Sequence, residues 1–349
     1  LDLSTGSVFE ITPTSNIQVG LSNPAASGTV SQGTLLLDGA GTTGYDLANG
    51  AYSNKSFSLT AQEAVPTGLF FKADGTKMYV VGSNGVEVNE FNLSTAWDVP
   101  TATYVQNFSV SAQDTAPEDL FFKPDGTKMY VAGNQGDDIN EYDLSTAWDI
   151  STATFLQSFS VAAQDAQLRG LFFKPDGLKM YVAGNTGDDI NEYNLSTAWN
   201  VSTATFVQAF SISSQDTSPQ AVFFKPDGTK MYVIGGVGVD INEYNLSTAW
   251  NVSTASYVQA FSVSSEEAVP LGLFFKPDGY AMYIVGNTND TVYQYSTATP
   301  ATITYDSAIQ FGGGTAPDSP AIGETDVLAF STRDGGTSYQ AMQAIDGAK

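Results

Sequence analysis

The chain has 349 residues and contains neither cysteine nor histidine. Disulfides, thiolate metal sites, Ser-His-Asp hydrolysis and histidine-ligated zinc or iron are therefore excluded. With 13 basic against 37 acidic residues, the net charge of −24 gives a surface that repels nucleic-acid phosphates and anionic membranes and favours solubility or cation binding. No apolar run approaches the roughly 20 residues needed to span a bilayer, and no signal peptide is visible. The first residue is Leu1 rather than Met, as expected of a processed product or a fragment.

Residues 1–50 are rich in Gly, Ser, Thr and Ala. Their alternating apolar positions predict strands at Val8–Thr12, Ile17–Leu21 and Thr34–Leu37. From residue 51 the character changes. A ten-residue phrase appears as FFKADGTKMY at Phe70–Tyr79 and returns at Phe121–Tyr130, Phe172–Tyr181, Phe223–Tyr232 and Phe274–Tyr283. Its glycines, Gly75, Gly126, Gly177, Gly228 and Gly279, fall every 51 residues. A fixed period of this size marks units that bury their faces on one another.

Within one unit, Phe155–Val161 alternates and is rich in aromatic and β-branched residues, which predicts a strand. Gly170–Lys174 is a short apolar run. Pro175-Asp176-Gly177 then reverses the chain, because Pro fixes φ at the first turn position and Gly supplies φ > 0. Lys179–Ala183 is the next strand, Gly184–Asp188 a second turn and Asp189–Leu195 a third strand. Four short antiparallel strands per 51 residues is the pattern of a β-propeller blade, whose innermost strand is covered on both faces and need not alternate. A β-solenoid would have parallel strands and no use for a Pro-Asp-Gly hairpin in every unit.

Five phrases predict five blades. Ser56–Thr60 matches the outer strand of the later units but has no blade of its own before it, and Thr291–Ser296 is a third strand with no fourth after it. Ser56–Leu59 is therefore expected to complete the last blade, so that one blade holds both ends of the ring and no edge is left open. Trp97, Trp148, Trp199 and Trp250 recur in the STAW connection, where packing between blades is the expected role. The Asn-x-Ser triplets at Asn92, Asn194 and Asn245 read as strand-end turns rather than glycan acceptors. The five units also serve as an internal alignment. Lys77, Lys128, Lys179 and Lys230 accompany Glu90, Glu141, Glu192 and Glu243, and both are lost together in the fifth unit as Ala281 and Gln294. That joint loss predicts contact, with the lysine and glutamate opposed on neighbouring strands.

Residues 301–349 resemble the opening segment in composition, with strands predicted at Thr302–Tyr305, Ala308–Phe311, Val327–Ser331 and Ser338–Ala341. Each flank alone has too few strands to fold. A propeller brings its chain ends together, so residues 1–50 and 301–349 are expected to form one small antiparallel β-sandwich-like domain used for attachment and assembly. A five-bladed β-propeller over residues 51–300 is inserted into it, giving an all-β chain.

The opening LDLSTGSVFEITPTSNIQVGLSN of Leu1–Asn23, with Pro24–Gly28, resembles a β module of tail-fibre and other appendage proteins of marine bacteriophages. The closing part of that module resembles Ile303–Thr332 with Arg333–Thr337. The propeller units resemble the FxPDGTKMYV…EYxLSTAWD repeats of phage and bacterial surface proteins and, more distantly, YVTN-type propellers. The resemblance implies a virion-surface or extracellular appendage protein of the tail-fibre or capsid-fibre kind. Its propeller would be displayed to bind a bacterial surface glycan or a protein receptor. The small domain would assemble with other virion proteins, often as a homo-oligomer, with no part for nucleic acid or membrane insertion. The resemblance carries over no catalytic residue. A bacterial extracellular adhesin and a lactonase-like or glycan-cleaving propeller enzyme are the alternative readings. The enzyme would need paired carboxylates or a metal.

Two sets of positions could carry chemistry. An acidic residue precedes each innermost strand: Glu63, Asp114, Asp165, Asp216 and Glu267. Five such carboxylates converging on a channel mouth would suit Ca²⁺ or Mg²⁺, although each could instead cap its own turn. Four residues later the units stop agreeing, with Thr67, Glu118, Arg169, Gln220 and Leu271 at the equivalent place. This is the candidate ligand-binding set. Arg169, one of only two arginines, is its strongest member and suits a ligand such as a carboxylate-bearing sugar. The turns Asn134–Asp138, Asn185–Asp189 and Asn287–Thr291 loosely resemble calcium loops but lack EF-hand spacing, and read as hairpin turns.

Overall fold

Each phrase folds as the two innermost strands of a blade. In blade 2 the strand Pro117–Phe122 turns through Pro124-Asp125-Gly126 into Lys128–Gly133. The turn is closed by the Gly126 amide donating to Lys123 O at 2.8 Å. Gly126 has φ +74°, and a side chain there would strike the Trp148 ring, so both backbone and packing demand glycine. Asp138–Leu144 and Ala153–Ser160 complete the blade, all pairs antiparallel. We describe this architecture from a computed structural model covering residues 8–11, 16–22, 31–38, 41–300, 302–312, 314–319, 325–332 and 338–348. The first seven residues, residues 23–30 and Arg333–Thr337, on which part of the appendage resemblance falls, lie outside the described residues.

Five such four-stranded antiparallel sheets form a β-propeller. Blades 1, 3 and 4 begin at Pro66, Leu168 and Pro219, and blade 5 at Pro270. The ring closes as its sequence requires. Ala51–Ser58 pairs antiparallel with Thr291–Ser296, joining Ser58 to Thr291 and Tyr52 to Tyr295, and so supplies the outer strand of blade 5. The chain divides into two compact units, Leu47–Thr297 and a second made of Leu1–Asp46 with Ala298–Lys349. The propeller thus interrupts the smaller unit.

Blades adhere through aromatic side chains. Phe70, Phe121, Phe172, Phe223 and Phe274 pack edge-to-face in a closed ring, with centroids 5.2–5.6 Å apart. Such pairs contribute about 0.5–1.5 kcal/mol each beyond burial. Farther out, Tyr79, Tyr130, Tyr181 and Tyr283 donate their hydroxyls to the main-chain oxygens of Trp148, Trp199, Trp250 and Trp97 in the adjacent blade, at 2.6–2.8 Å. The tryptophans are inter-blade packing, as the sequence indicates.

All four lysine–glutamate pairs form, as Lys77–Glu90, Lys128–Glu141, Lys179–Glu192 and Lys230–Glu243. They are diagonal rather than opposed. Lys128 faces Asp143, and Glu141 faces Tyr130, two residues along on the same side. Lys128 reaches both acids at 2.6 Å. The glutamates are 1–2% exposed, and Glu141 and Glu192 also accept from a main-chain amide of the next blade. Glu141 Oε2 accepts from Gln157 at 2.8 Å and from the Val201 amide of blade 3 at 3.1 Å. In blade 5 Gln294 accepts from the Val99 amide of blade 1, while Lys55 moves the positive charge to the outer strand and pairs with Asp98 at 3.1 Å.

In the smaller unit a five-stranded sheet runs in the order Val8–Ile11, Ser31–Asp38, Thr325–Thr332, Tyr339–Ala348, Ile309–Phe311. Strands from both flanks therefore share one sheet. Its central pairings are antiparallel and its two edges pair parallel. A parallel two-stranded piece, Ile17–Val19 with Ile303–Tyr305, covers the same core. Leu35, Leu328, Phe330 and Tyr339 lie in that core with Val19 and Ile303. Thr325–Thr332 alternates strictly between half-buried and buried, the signature of a strand with one face inward.

The glutamate hub should decide inter-blade stability. Glu192→Ala strands Lys179 and the Val252 amide, which donates to Glu192 at 3.2 Å, and should cost about 3 kcal/mol. The double change Lys179→Ala with Glu192→Gln copies blade 5 and should recover most of that loss in chemical denaturation. Equal destabilisation by the two variants would show that the charge pair is not the element that matters.

Candidate functional site

The five innermost strands share an irregularity. In blade 2, Pro117 pairs with Gly133 and Asp119 with Ala132, so Glu118 is an extra, unpaired residue. The same register shift brackets Thr67, Arg169, Gln220 and Leu271. A bulge frees a side chain from the ladder and re-aims it, and bulges are enriched beside binding sites. At this position no two units carry the same residue. All five line one cavity of about 320 Å³, together with Val65, Ser83, Ser218, Gly236, Val269, Pro270 and Asn287. Larger hollows of about 470 and 640 Å³ lie on the smaller unit. The first is lined by no ionisable residue and the second only by Tyr305 and Asp306, so of these three hollows only the propeller mouth carries an ion pair.

The mouth is sharply asymmetric. Arg169 Nη1 donates to Glu118 Oε1 at 2.6 Å, tying blade 3 to blade 2. Burial raises the Glu118 carboxyl above its ordinary value, while Arg169 and the Asn134 amide pull the other way. Arg169 Nε is buried without an acceptor. Gln220 donates Nε2 to Ser218 O at 3.1 Å and Ser218 Oγ at 2.8 Å. The Thr67 hydroxyl donates to Pro117 O at 2.9 Å. Leu271 with Val269 and Pro270 forms an apolar arc on the side away from the ion pair.

One residue further along each strand lies a group that sequence reasoning overlooked. The equivalent positions are Gly68, Asp119, Gly170, Ala221 and Gly272, and only blade 2 carries a functional side chain. Asp119 is 8% exposed. Its Oδ1 accepts from the Leu120 amide and its Oδ2 from the Leu171 amide of blade 3, both at 2.8 Å. A Cβ on Gly68 would lie 2.6 Å from Asp119 Oδ1, so the carboxyl fits only because its neighbour has no side chain. Burial pushes Asp119 from 3.8 up to about 8 against those two hydrogen bonds, with Glu118 adding to the rise. Below it, the leucines and the phenylalanine ring leave a void of only about 10 Å³. The propeller axis is therefore plugged, and the site is a cup rather than a pore.

The five acids expected to gather around a cation do something else. Asp114 is 3% exposed and accepts from the Ala116 and Gly136 amides at 2.6 and 2.8 Å. Glu63, Asp165 and Asp216 likewise cap the turn between the second and third strands of their own blades. Glu267 accepts from Val269 and Thr288 at 2.8 and 3.1 Å. Four of the five engage both carboxylate oxygens in this way, which leaves little to offer a metal, and Glu267 alone keeps Oε2 without a partner. Among the described residues no group of three or more acids is placed to hold one. The correction has a simple cause: the chain reverses here, and its orphaned amides lie closer than the axis. The Asn134–Asp138 type segments are the hairpin turns that these acids cap.

Asp119 makes a pH signature. Its folded value is raised, so its favourable contribution is complete below about pH 4 and is lost as pH rises towards about 8. Thermal melts should fall between pH 5 and pH 8, and Asp119→Ala, the side chain blade 4 already carries, should flatten that fall. An unchanged slope in the variant would show that Asp119 stays ionised throughout.

No protein-family model and no curated protein matches the sequence. Among solved structures, the chain is similar to a protein of Bacteroides uniformis ATCC 8492 provisionally named a 6-phosphogluconolactonase, at 12% identity and a TM-score of 0.41 over 80% of this chain and 85% of that one. A protein of Bacteroides fragilis NCTC 9343 with the same provisional name matches at 15% identity and a TM-score of 0.42, over 81% and 85% of the two chains. A functionally unknown protein of Desulfotomaculum acetoxidans DSM 771 matches at 12% identity and a TM-score of 0.40, over 81% and 90%. Similarity this distant carries no argument about activity.

Proposed function

We propose that this chain is a non-enzymatic appendage protein of a virion, of the tail-fibre or capsid-fibre kind. The propeller mouth binds a glycan of the bacterial surface, and the smaller unit serves assembly with other virion proteins. One observation carries the binding role: the bulged residue is different in every one of the five blades, and the five converge on a single cup. A bulged side chain is released from the ladder and re-aimed, so its identity can serve a ligand. A cup of about 320 Å³ is at the small end of ligand sites, about 300–1,000 Å³, and suits one or two sugar units. Assembly through the smaller unit is supported by Val8 and Met342, each 63% exposed beside the same hollow on its main sheet.

Binding rather than turnover is favoured by the state of the acids. Glu118 is held by Arg169, and Asp119 lies beneath the cup with both oxygens accepting main-chain amides. Neither is a free pair flanking a reacting atom. A glycan array probed with the whole chain tests this, with product release followed on every hit. Hits that vanish in Arg169→Ala and release no product are expected. Hits indifferent to that change would move the site elsewhere, and product release would make the protein an enzyme.

A further inference from the structure

The ligand class can be narrowed further, on the assumption that the cup is a glycan site. We infer that the cup takes a neutral sugar unit, presenting a pair of neighbouring hydroxyls to Arg169 and Gln220, and that it discriminates against acidic sugars. A lone arginine at a binding site usually points to a carboxylate ligand, and the sequence alone suggests one here. The pairing of Arg169 with Glu118 argues for the opposite.

Glu118 and Arg169 are the only charged residues lining the cup, and they are bound to each other. The lining is therefore neutral in sum. A ligand carboxylate would have to compete for the guanidinium with Glu118, whose side chain is 11% exposed and cannot escape to water without leaving its place. It would also approach Asp114 at the turn of the same blade, whose charge already acts on Glu118. The chain's net charge of −24 adds to that repulsion. A cationic ligand meets Arg169 instead. A neutral ligand incurs neither cost.

The hydrogen-bonding needs of the cup also fit hydroxyls. Arg169 has five donors. Its Nη1 donates to Glu118 and its Nε is buried, so the Nη2 hydrogens of this partly exposed side chain are the donors open to a ligand. On the next blade, Gln220 commits its Nε2 to Ser218, which leaves Oε1 as the open acceptor of that amide. Donor and acceptor thus stand on adjacent blades. A carboxylate can only accept and would leave the amide oxygen opposed by another oxygen. A hydroxyl both donates and accepts, and two neighbouring hydroxyls satisfy both residues at once. Across the cup, Val269, Pro270 and Leu271 offer an apolar wall to the C–H face of a sugar ring.

The test uses the whole chain and matched pairs of methyl glycosides: glucose with glucuronic acid, galactose with galacturonic acid, and mannose with mannuronic acid. Binding is measured by ligand-observed NMR and calorimetry at low salt. At least one neutral member should bind, its acidic partner at least tenfold more weakly. Gln220→Leu and Arg169→Ala should each weaken the neutral ligand at least tenfold, with folding checked by thermal melts. Glu118→Gln frees the guanidinium and should raise affinity for the acidic partner at least tenfold, a gain that a merely structural role for Glu118 would not produce. Equal or tighter binding of the acidic sugars by the unaltered chain overturns the inference while leaving the glycan reading in place. Failure of every sugar to bind, or binding indifferent to Arg169→Ala, overturns both.

Discussion

Everything in the propeller depends on each blade burying one face against the next. No blade of four short strands could hold its own fold, and the contact that joins them is renewed at three radii. Phenylalanines interlock at the axis, tyrosine hydroxyls reach tryptophan carbonyls at mid-radius, and the Glu–Lys–Gln hub reaches across farther out through Gln157 to Asn200 and Glu141 to the Val201 amide. Because blade 5 must meet blade 1 by the same means, the ring closes with Phe274 against Phe70 and Tyr283 on Trp97. The borrowed strand Ala51–Ser58 then removes the seam. The constraint explains why the aromatic residues of the phrase are kept so closely: its two phenylalanines and its tyrosine touch a second blade.

That strictness makes the exceptions informative. A bulge at the second residue of every innermost strand releases one side chain per blade from the ladder. Release permits variety, and variety is what recognition needs. The cup is consequently rigid in its walls and free in its lining. Its floor is sealed by the phenylalanine ring, and its single buried acid, Asp119, is clamped between two blades. Fixed walls reduce the ordering a ligand must impose, which is how a shallow site gains affinity.

Much of this was legible in the sequence because the repeat supplies its own alignment. Strand order, blade number and the closure by residues near Ser56 follow from where the phrase begins and ends. The lysine–glutamate pair was visible through its joint loss in blade 5. Its diagonal geometry was not, because register depends on where the turn pinches, and Tyr130 occupies the facing place. The five varying positions were visible as a column, whereas the bulge that unites them was not, since bulges leave no residue signature here. Asp119 escaped notice for a different reason. An aspartate beside a glutamate reads as solvated surface, and only the column Gly, Asp, Gly, Ala, Gly shows that it occupies space meant for nothing larger than a methyl group. The acids Glu63 to Glu267 misled in the opposite direction, because even spacing around a ring implies convergence only when no nearer donor competes.

The central claim is that what the blades share makes the fold and what they do not share makes the recognition. Restoring symmetry to the cup tests it most directly. A variant with Glu118, Arg169, Gln220 and Leu271 all changed to the threonine that blade 1 carries leaves every inter-blade contact except the Arg169–Glu118 pair in place. The account predicts a melting temperature within a few degrees of the original and complete loss of binding to whatever glycans the unaltered chain recognises. Retained binding by the symmetrised chain, or its failure to fold, would contradict it.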